Sequence, residues 1–200
     1  MSTTPKKRKR VKGGPKGARF ERRICKELSL WVSNEEREDC FWRSSMSGGR
    51  ATLHIKRGRK TAISAQAGDI TAIHKKGMLL SSLVVIDCKE YKSMKWHCLI
   101  YGNAGVVQPA WEKLGVESRR DHKSRLLVCT ESHQPIIACV DFHFIALLSA
   151  STKGCPKVIA EFPQLEMAVL SWDWLMEVPF NEIRNYCRNT RWSREVSVHI

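Results

Sequence analysis

Two hundred residues, 42% of them hydrophobic and seven of them tryptophan, can bury the core of one α/β domain of ordinary size. The formal charge of +14 points to an anionic partner, most naturally nucleic acid. No apolar run approaches the roughly eighteen residues that span a bilayer. None of the eight cysteines forms a Cys-x-x-Cys pair, so the composition argues against a membrane protein and against structural zinc, and for a reduced, soluble, intracellular chain.

The charge is unevenly placed. Through Arg23, ten Lys/Arg face one Glu, so nine of the fourteen net charges lie in the first 23 residues. Residues 1–16 read as a disordered basic arm without apolar periodicity, ended by Gly-Gly-Pro. Pro5 to Val11 suits a nuclear-import signal and a phosphate-gripping arm equally well. From about Gly17 to Ser33 the spacing predicts a helix, with Ile24, Cys25, Leu28, Trp31 and Val32 on one face. Glu21 falls in the middle of that face. A carboxylate aimed at a core calls for a partner: either a nearby arginine or a bound cation.

Cys40 to Arg43 reads as a short strand, and Ser44 to Arg50 as a loop of hydroxyls and glycines of the kind that can hold a phosphate. Residues 50–66 carry Arg50, Lys56, Arg57, Arg59 and Lys60, a segment that suits either a DNA backbone or solvent. Gly68-Asp69-Ile70-Thr71-Ala72-Ile73 opens a strand on a carboxylate. His74 to Met78 is expected to turn it into a hairpin with Leu83-Val84-Val85-Ile86-Asp87-Cys88-Lys89. Strand side chains alternate, so Asp87 and Lys89 point one way and Cys88 the other. Charges at the end of a buried strand need compensation, which can be mutual or come from a divalent cation.

Beyond that, 90–105 reads as irregular, with His97 a structural or solvent-facing residue ahead of a ligand. Residues 106–122 read as an amphipathic helix, and 125–131 and 136–144 as strands. Residues 165–177, and those from Pro179 to about Arg188, are expected to be helical. The domain reading is an arm (1–16), a core (17–145) and a C-terminal helical extension packed on it (146–200).

Hydrolysing a phosphodiester needs an activated water and a cation at the phosphoryl group. Hard oxygen donors suit Mg²⁺. Asp69 and Asp87 would be the main ligands, the Cys88 carbonyl a third, and Glu21 a further acid. Lys89 would orient water or offset charge in the transition state.

This order of features resembles the PD-(D/E)xK nuclease superfamily, and within it the archaeal and phage Holliday-junction resolvase branch. The resemblance is carried by Gly17-x-x-Phe20-Glu21-Arg22, Arg43-x-x-x-Ser47-Gly48-Gly49, Gly68-Asp69-Ile70 and Ile86-Asp87-Cys88-Lys89. It covers residues 17–92 and, more loosely, the chain to about 145. It implies a restriction-endonuclease-like α/β core, with a central mixed sheet flanked by helices. It also implies Mg²⁺ dependence with Mn²⁺ substituting, and a homodimer that cuts branched DNA in recombination. Glu21, Asp69 and Asp87 would be metal ligands, Lys89 the catalytic lysine, and Ser47 a loop serine near the scissile phosphate. Arg43, Ser47, Arg50, Lys56, Arg57, Arg59 and Lys60 are the expected DNA contacts.

Three departures are visible. Gly68 replaces the superfamily's proline, Asp87 stands where this branch often has Glu, and the segment from Ser47 to Asp69 is long. Glu90-Tyr91-Lys92 repeats the pattern three residues on, but Asp87-Cys88-Lys89 directly follows the apolar strand and is preferred. The other readings are a restriction, nicking or repair nuclease on linear duplex, and a non-enzymatic nucleic-acid binder. The expected compartment is bacterial cytoplasm for a phage protein, with the nucleus as alternative.

Overall fold

Apolar residues at helical spacing build α1 (Gly14–Ser33), whose buried stripe runs through Phe20, Ile24, Leu28, Trp31 and Val32. In this computed structural model, residues 14–44, 68–101, 105–152 and 155–190 are described. The helix ends where Asn34 and Glu35 turn left-handed, at φ 54° and 65°. Ser29, inside the helix, then fixes the next element. Its hydroxyl accepts the backbone N–H groups of Cys40 (2.9 Å) and Phe41 (3.1 Å), pinning β1 (Phe41–Arg43) to α1.

β1 pairs antiparallel with β2 (Ile70–Ala72). The expected hairpin between β2 and the following strand does not form. A 3-10 turn at Lys75–Gly77 and a short helix α2 (Met78–Leu83) intervene before β3 (Val84–Tyr91). Leu80 and Leu83 point inward one helical turn apart, so burying them favours a helix over a tight turn. The turn that leads into β2 still meets β3, where the Asp69 N–H donates to the Ile86 carbonyl at 2.8 Å.

The main sheet has five strands in the order β3-β4-β5-β7-β6. β3 and β4 (Ser124–Glu131) are parallel, connected through α3 (Trp96–Ile100) and α4 (Val107–Asp121). β5 (Ile137–Asp141), β7 (Met167–Ser171) and β6 (Val158–Phe162) follow antiparallel. α5 (Phe142–Ser151), α6 (Trp172–Glu177) and α7 (Phe180–Thr190) complete the chain. The helix expected over 165–177 begins only at Trp172, because the preceding residues form β7 between β5 and β6. The stretch beyond residue 145 therefore supplies two of the five strands as well as helices. This is a restriction-endonuclease-like α/β fold, a mixed sheet flanked by helices.

Alternation along β3 separates two apolar layers. Val84, Ile86 and Cys88 pack with α1 and the C-terminal helices, whereas Val85 packs with Trp111 and Leu114 of α4. Asp87 and Lys89 share the parity of Val85 and belong to the α4 face. No helix among the described residues is long and apolar enough to cross a membrane.

Candidate active site

The site lies on β3, which ends the five-strand order of the main sheet, where the Asp69 turn meets it. Asp69 is held from both sides: its own N–H donates to Ile86 and its carbonyl accepts from the Ser44 N–H at 2.8 Å. Its Oδ2 accepts from the Cys88 N–H (3.2 Å) and from Lys89 Nζ (3.2 Å). Lys89 Nζ also meets Asp87 Oδ2 at 2.5 Å and donates to the Cys88 carbonyl at 3.2 Å. One ammonium thus contacts the three oxygen groups expected to hold a metal.

Burial sets the electrostatics. The Asp87 side chain is 6% exposed. Loss of water, together with the hydrogen bond and negative charge of Asp69, pushes its pKa up to about 8. Burial works in the same sense on Asp69. There, however, the hydrogen bond from Asp87, the Lys89 charge and the Cys88 N–H prevail and hold that carboxyl below its ordinary value. Burial would lower Lys89, but the charges of Asp87 and Asp69 override it and raise it. Burial, mutual repulsion and the Lys89 charge together push the two carboxyls in opposite directions, a conflict of like charges that a cation relieves.

These donors suit a hard divalent ion: two carboxylates and a carbonyl, in a buried corner where like charges crowd. The set is small. Among the described residues, no group of three His, Cys, Asp or Glu gathers to hold a metal. Glu21 stands apart from the pair. It lies on α1, over the opposite face of β3, and its carboxylate is bound to the Arg43 guanidinium. That is the arginine partner its inward position called for, and it also engages Arg43, one of the expected DNA contacts. Ser47, Arg50, Lys56, Arg57, Arg59 and Lys60 lie outside the described residues. Cys88 offers only its carbonyl, because its thiol sits in the α1 layer and burial raises it far above the ordinary range. His97 is exposed on α3.

One carboxylate at the site had no signal in the sequence. Glu117 of α4 accepts the Gly68 N–H at 2.9 Å, clamping the turn that delivers Asp69. It sits 49 residues away in the chain, next to buried Ser118, and reads there as an ordinary solvent-facing acid. Gly68 itself is fixed by geometry. It adopts φ +78°, and a Cβ there would stand 2.2 Å from the Ile86 carbonyl oxygen.

A restriction-endonuclease-like sheet that ends in an acid pair and a lysine, carried as Asp-x-Lys on one strand, defines the class of PD-(D/E)xK nucleases. Residues 12–184 match the model of the family described as "Phage putative PDDEXK endonuclease", and the chain belongs to that family. PDDEXK nucleases generally use divalent metals. No curated protein and no solved structure matches the chain.

Proposed function

We propose that this protein is a Mg²⁺-dependent DNA endonuclease, with Mn²⁺ able to substitute, that resolves Holliday junctions or related branched DNA as a homodimer. The observation that carries the catalytic part is the Lys89 ammonium seated on Asp69, Asp87 and the Cys88 carbonyl, a cation already placed on hard oxygens. In this reading Asp69 and Asp87 hold the metal with the Cys88 carbonyl. When bound, the ion supplies charge stabilisation at the phosphoryl group.

The other roles belong to the chain. The Cys88 N–H fixes the Asp69 carboxylate, so its orientation needs no rearrangement during reaction. Lys89, displaced from the carboxylates, places its Nζ protons toward the attacking water or the charge developing on the phosphate oxygens. Glu117 keeps the Gly68–Asp69 turn in place through α4. Glu21 adds an acid at the rim when Arg43 turns to a DNA phosphate. Ser47 and the basic residues from Arg50 to Lys60 grip the backbone near the scissile bond. The basic composition supports a DNA substrate; branched DNA and the dimer rest on the motif resemblance.

The test is cleavage of a synthetic four-way junction beside linear duplex and flap DNA, in Mg²⁺, Mn²⁺ or EDTA. Paired nicks in the junction alone, lost in EDTA, are expected. Cutting of all three substrates would replace junction resolution with a general endonuclease. Binding without cutting in either metal would overturn the nuclease reading.

A further inference from the structure

We propose that the groove between the Lys75–Gly77 turn, α2 and α7 is a second phosphate-binding site, which takes the backbone of the DNA substrate at a distance from the acid pair. The groove, about 340 Å³, is lined by Lys75, Lys76, Leu79, Arg184 and Arg188. Four of its five lining residues are cations and none is an acid. Cations gathered in one concavity repel one another, and an anion relieves that repulsion.

Two of them are fixed in place. The Arg184 guanidinium donates to Asn181 Oδ1 (2.7 Å) and to the Val32 carbonyl (2.9 Å), and lies over the Phe180 ring at 5.4 Å. Lys76 is paired with Glu36, an exposed carboxylate whose pKa that hydrogen bond and charge lower. Neither the Lys75 nor the Arg188 side chain has a partner among the described residues. After Glu36 is counted, three positive charges remain for a ligand.

The place of the groove selects a polyanion over a small anion. Arg184 bonds the Val32 carbonyl near the C-terminal end of α1, whereas Glu21, nearer the start of that helix, binds Arg43, the residue before the Ser44 whose N–H bonds the Asp69 carbonyl. Val32 follows Glu21 by eleven helical steps, a rise of about 17 Å. That is about five phosphates along one strand at 3.4 Å each. The groove and Arg43 are thus tied to the same helix, so a DNA strand meets these two contacts at a set spacing. Arginine forks suit phosphate oxygens at such a contact. This assignment rests on the nuclease reading of the Asp69–Asp87–Lys89 cluster.

The test is the salt dependence of binding, measured in EDTA so that no cleavage occurs. A labelled duplex of about three helical turns is titrated with wild type, Lys75→Gln/Arg188→Gln and Lys75→Glu/Arg188→Glu. Losing two phosphate contacts is expected to reduce the slope of log K against log salt by about 2 and to weaken binding at every salt concentration. The loss should shrink on a single-stranded trinucleotide, too short to reach both contacts across about 17 Å. Thermal unfolding checks that each variant folds, and the glutamine pair decides if the glutamate pair does not. An unchanged slope and affinity on the long duplex would overturn the groove. So would a variant that loses binding to poly-glutamate while holding DNA as wild type does. Cleavage by wild type in Mg²⁺ is read separately: no cutting with a changed slope sinks the nuclease reading alone, and cutting with an unchanged slope sinks the groove alone.

Discussion

Two aspartates are buried in the main sheet, and their surroundings differ. Asp141, at the end of β5, gives its carboxylate to fixed donors: the Phe144 N–H at 2.9 Å, which caps α5, and the Arg125 N–H at 2.7 Å. Asp87, on β3, faces another carboxyl and a lysine ammonium instead. The neighbouring strand sharpens the contrast, since Asp87 lies in register with Leu127 and Lys89 with Cys129, both fully buried. A structural carboxylate uses its lone pairs on backbone donors that never leave. In the proposed reading, Asp87 is instead a metal-binding carboxylate, whose partners a cation can replace.

The largest test of this contrast is a pair of alanine variants. Asp87→Ala is expected to cut DNA cleavage by at least about 10³-fold while leaving the fold intact. Asp141→Ala should do the reverse, costing about 1–2 kcal/mol from the lost helix cap with an unchanged rate wherever it is folded. Gel-based cleavage and thermal unfolding read both. A rate loss in Asp141→Ala equal to that of Asp87→Ala would dissolve the distinction.

Gly68→Ala comes next. The left-handed backbone alone costs about 1–3 kcal/mol for a non-glycine residue, and the added Cβ meets the Ile86 carbonyl. A lowered melting temperature and a sharp fall in cleavage are expected. Wild-type behaviour would show that the turn can move away without consequence.

The pH dependence of stability is a subtler readout. The folded, metal-free protein keeps a proton on Asp87 up to about 8, whereas the unfolded chain releases it near the ordinary 3.8. Between those values the folded state binds more protons, so stability falls as pH rises through that window. Asp69, held low, contributes in the opposite sense: its stabilisation is present above its unfolded value and fades only as pH falls through its folded one. Asp87→Asn should flatten the decline and stabilise the metal-free protein near neutrality. Denaturant melts at several pH values would reveal a wild type with no such slope, against expectation.

Glu117→Ala is the smallest effect, about 1–2 kcal/mol for a half-buried bond to a charged acceptor, with a modest loss of turnover from a looser Asp69. Glu117→Gln retains an acceptor for the Gly68 N–H and should restore most of both. If glutamine behaves like alanine, the charge of Glu117 matters and not its grip on the turn.

Much of this was legible in the residues. The apolar stripe of α1, the helix at 107–121 and the strands β3 and β4 follow from helical spacing and short apolar runs. So does β5, although the strand expected over 136–144 ends at Asp141, where the Asp141 side chain caps the helix from Phe142. The shared direction of Asp87 and Lys89 follows from strand alternation. The strand β7 was harder to see, because Met167 to Leu170 is one apolar run that suits either period. Its break is marked by Ser171, whose hydroxyl accepts the Trp174 N–H at 3.4 Å as a helix cap. Leu80 and Leu83, one turn apart, likewise signalled the short helix that replaced the hairpin. The pairing of Glu21 with Arg43 and the grip of Glu117 on Gly68 are contacts between distant segments, and no local pattern encodes them.

The central claim is that the Asp69–Asp87 pair is a cation site. Calorimetric titration of Mg²⁺ or Mn²⁺ into DNA-free protein, at about pH 7 in two buffers of different ionisation heat, tests it most directly. The account predicts binding accompanied by proton release as the ion displaces the proton held by Asp87, with both signals absent in Asp87→Asn. Metal binding and proton release unchanged in that variant would contradict it.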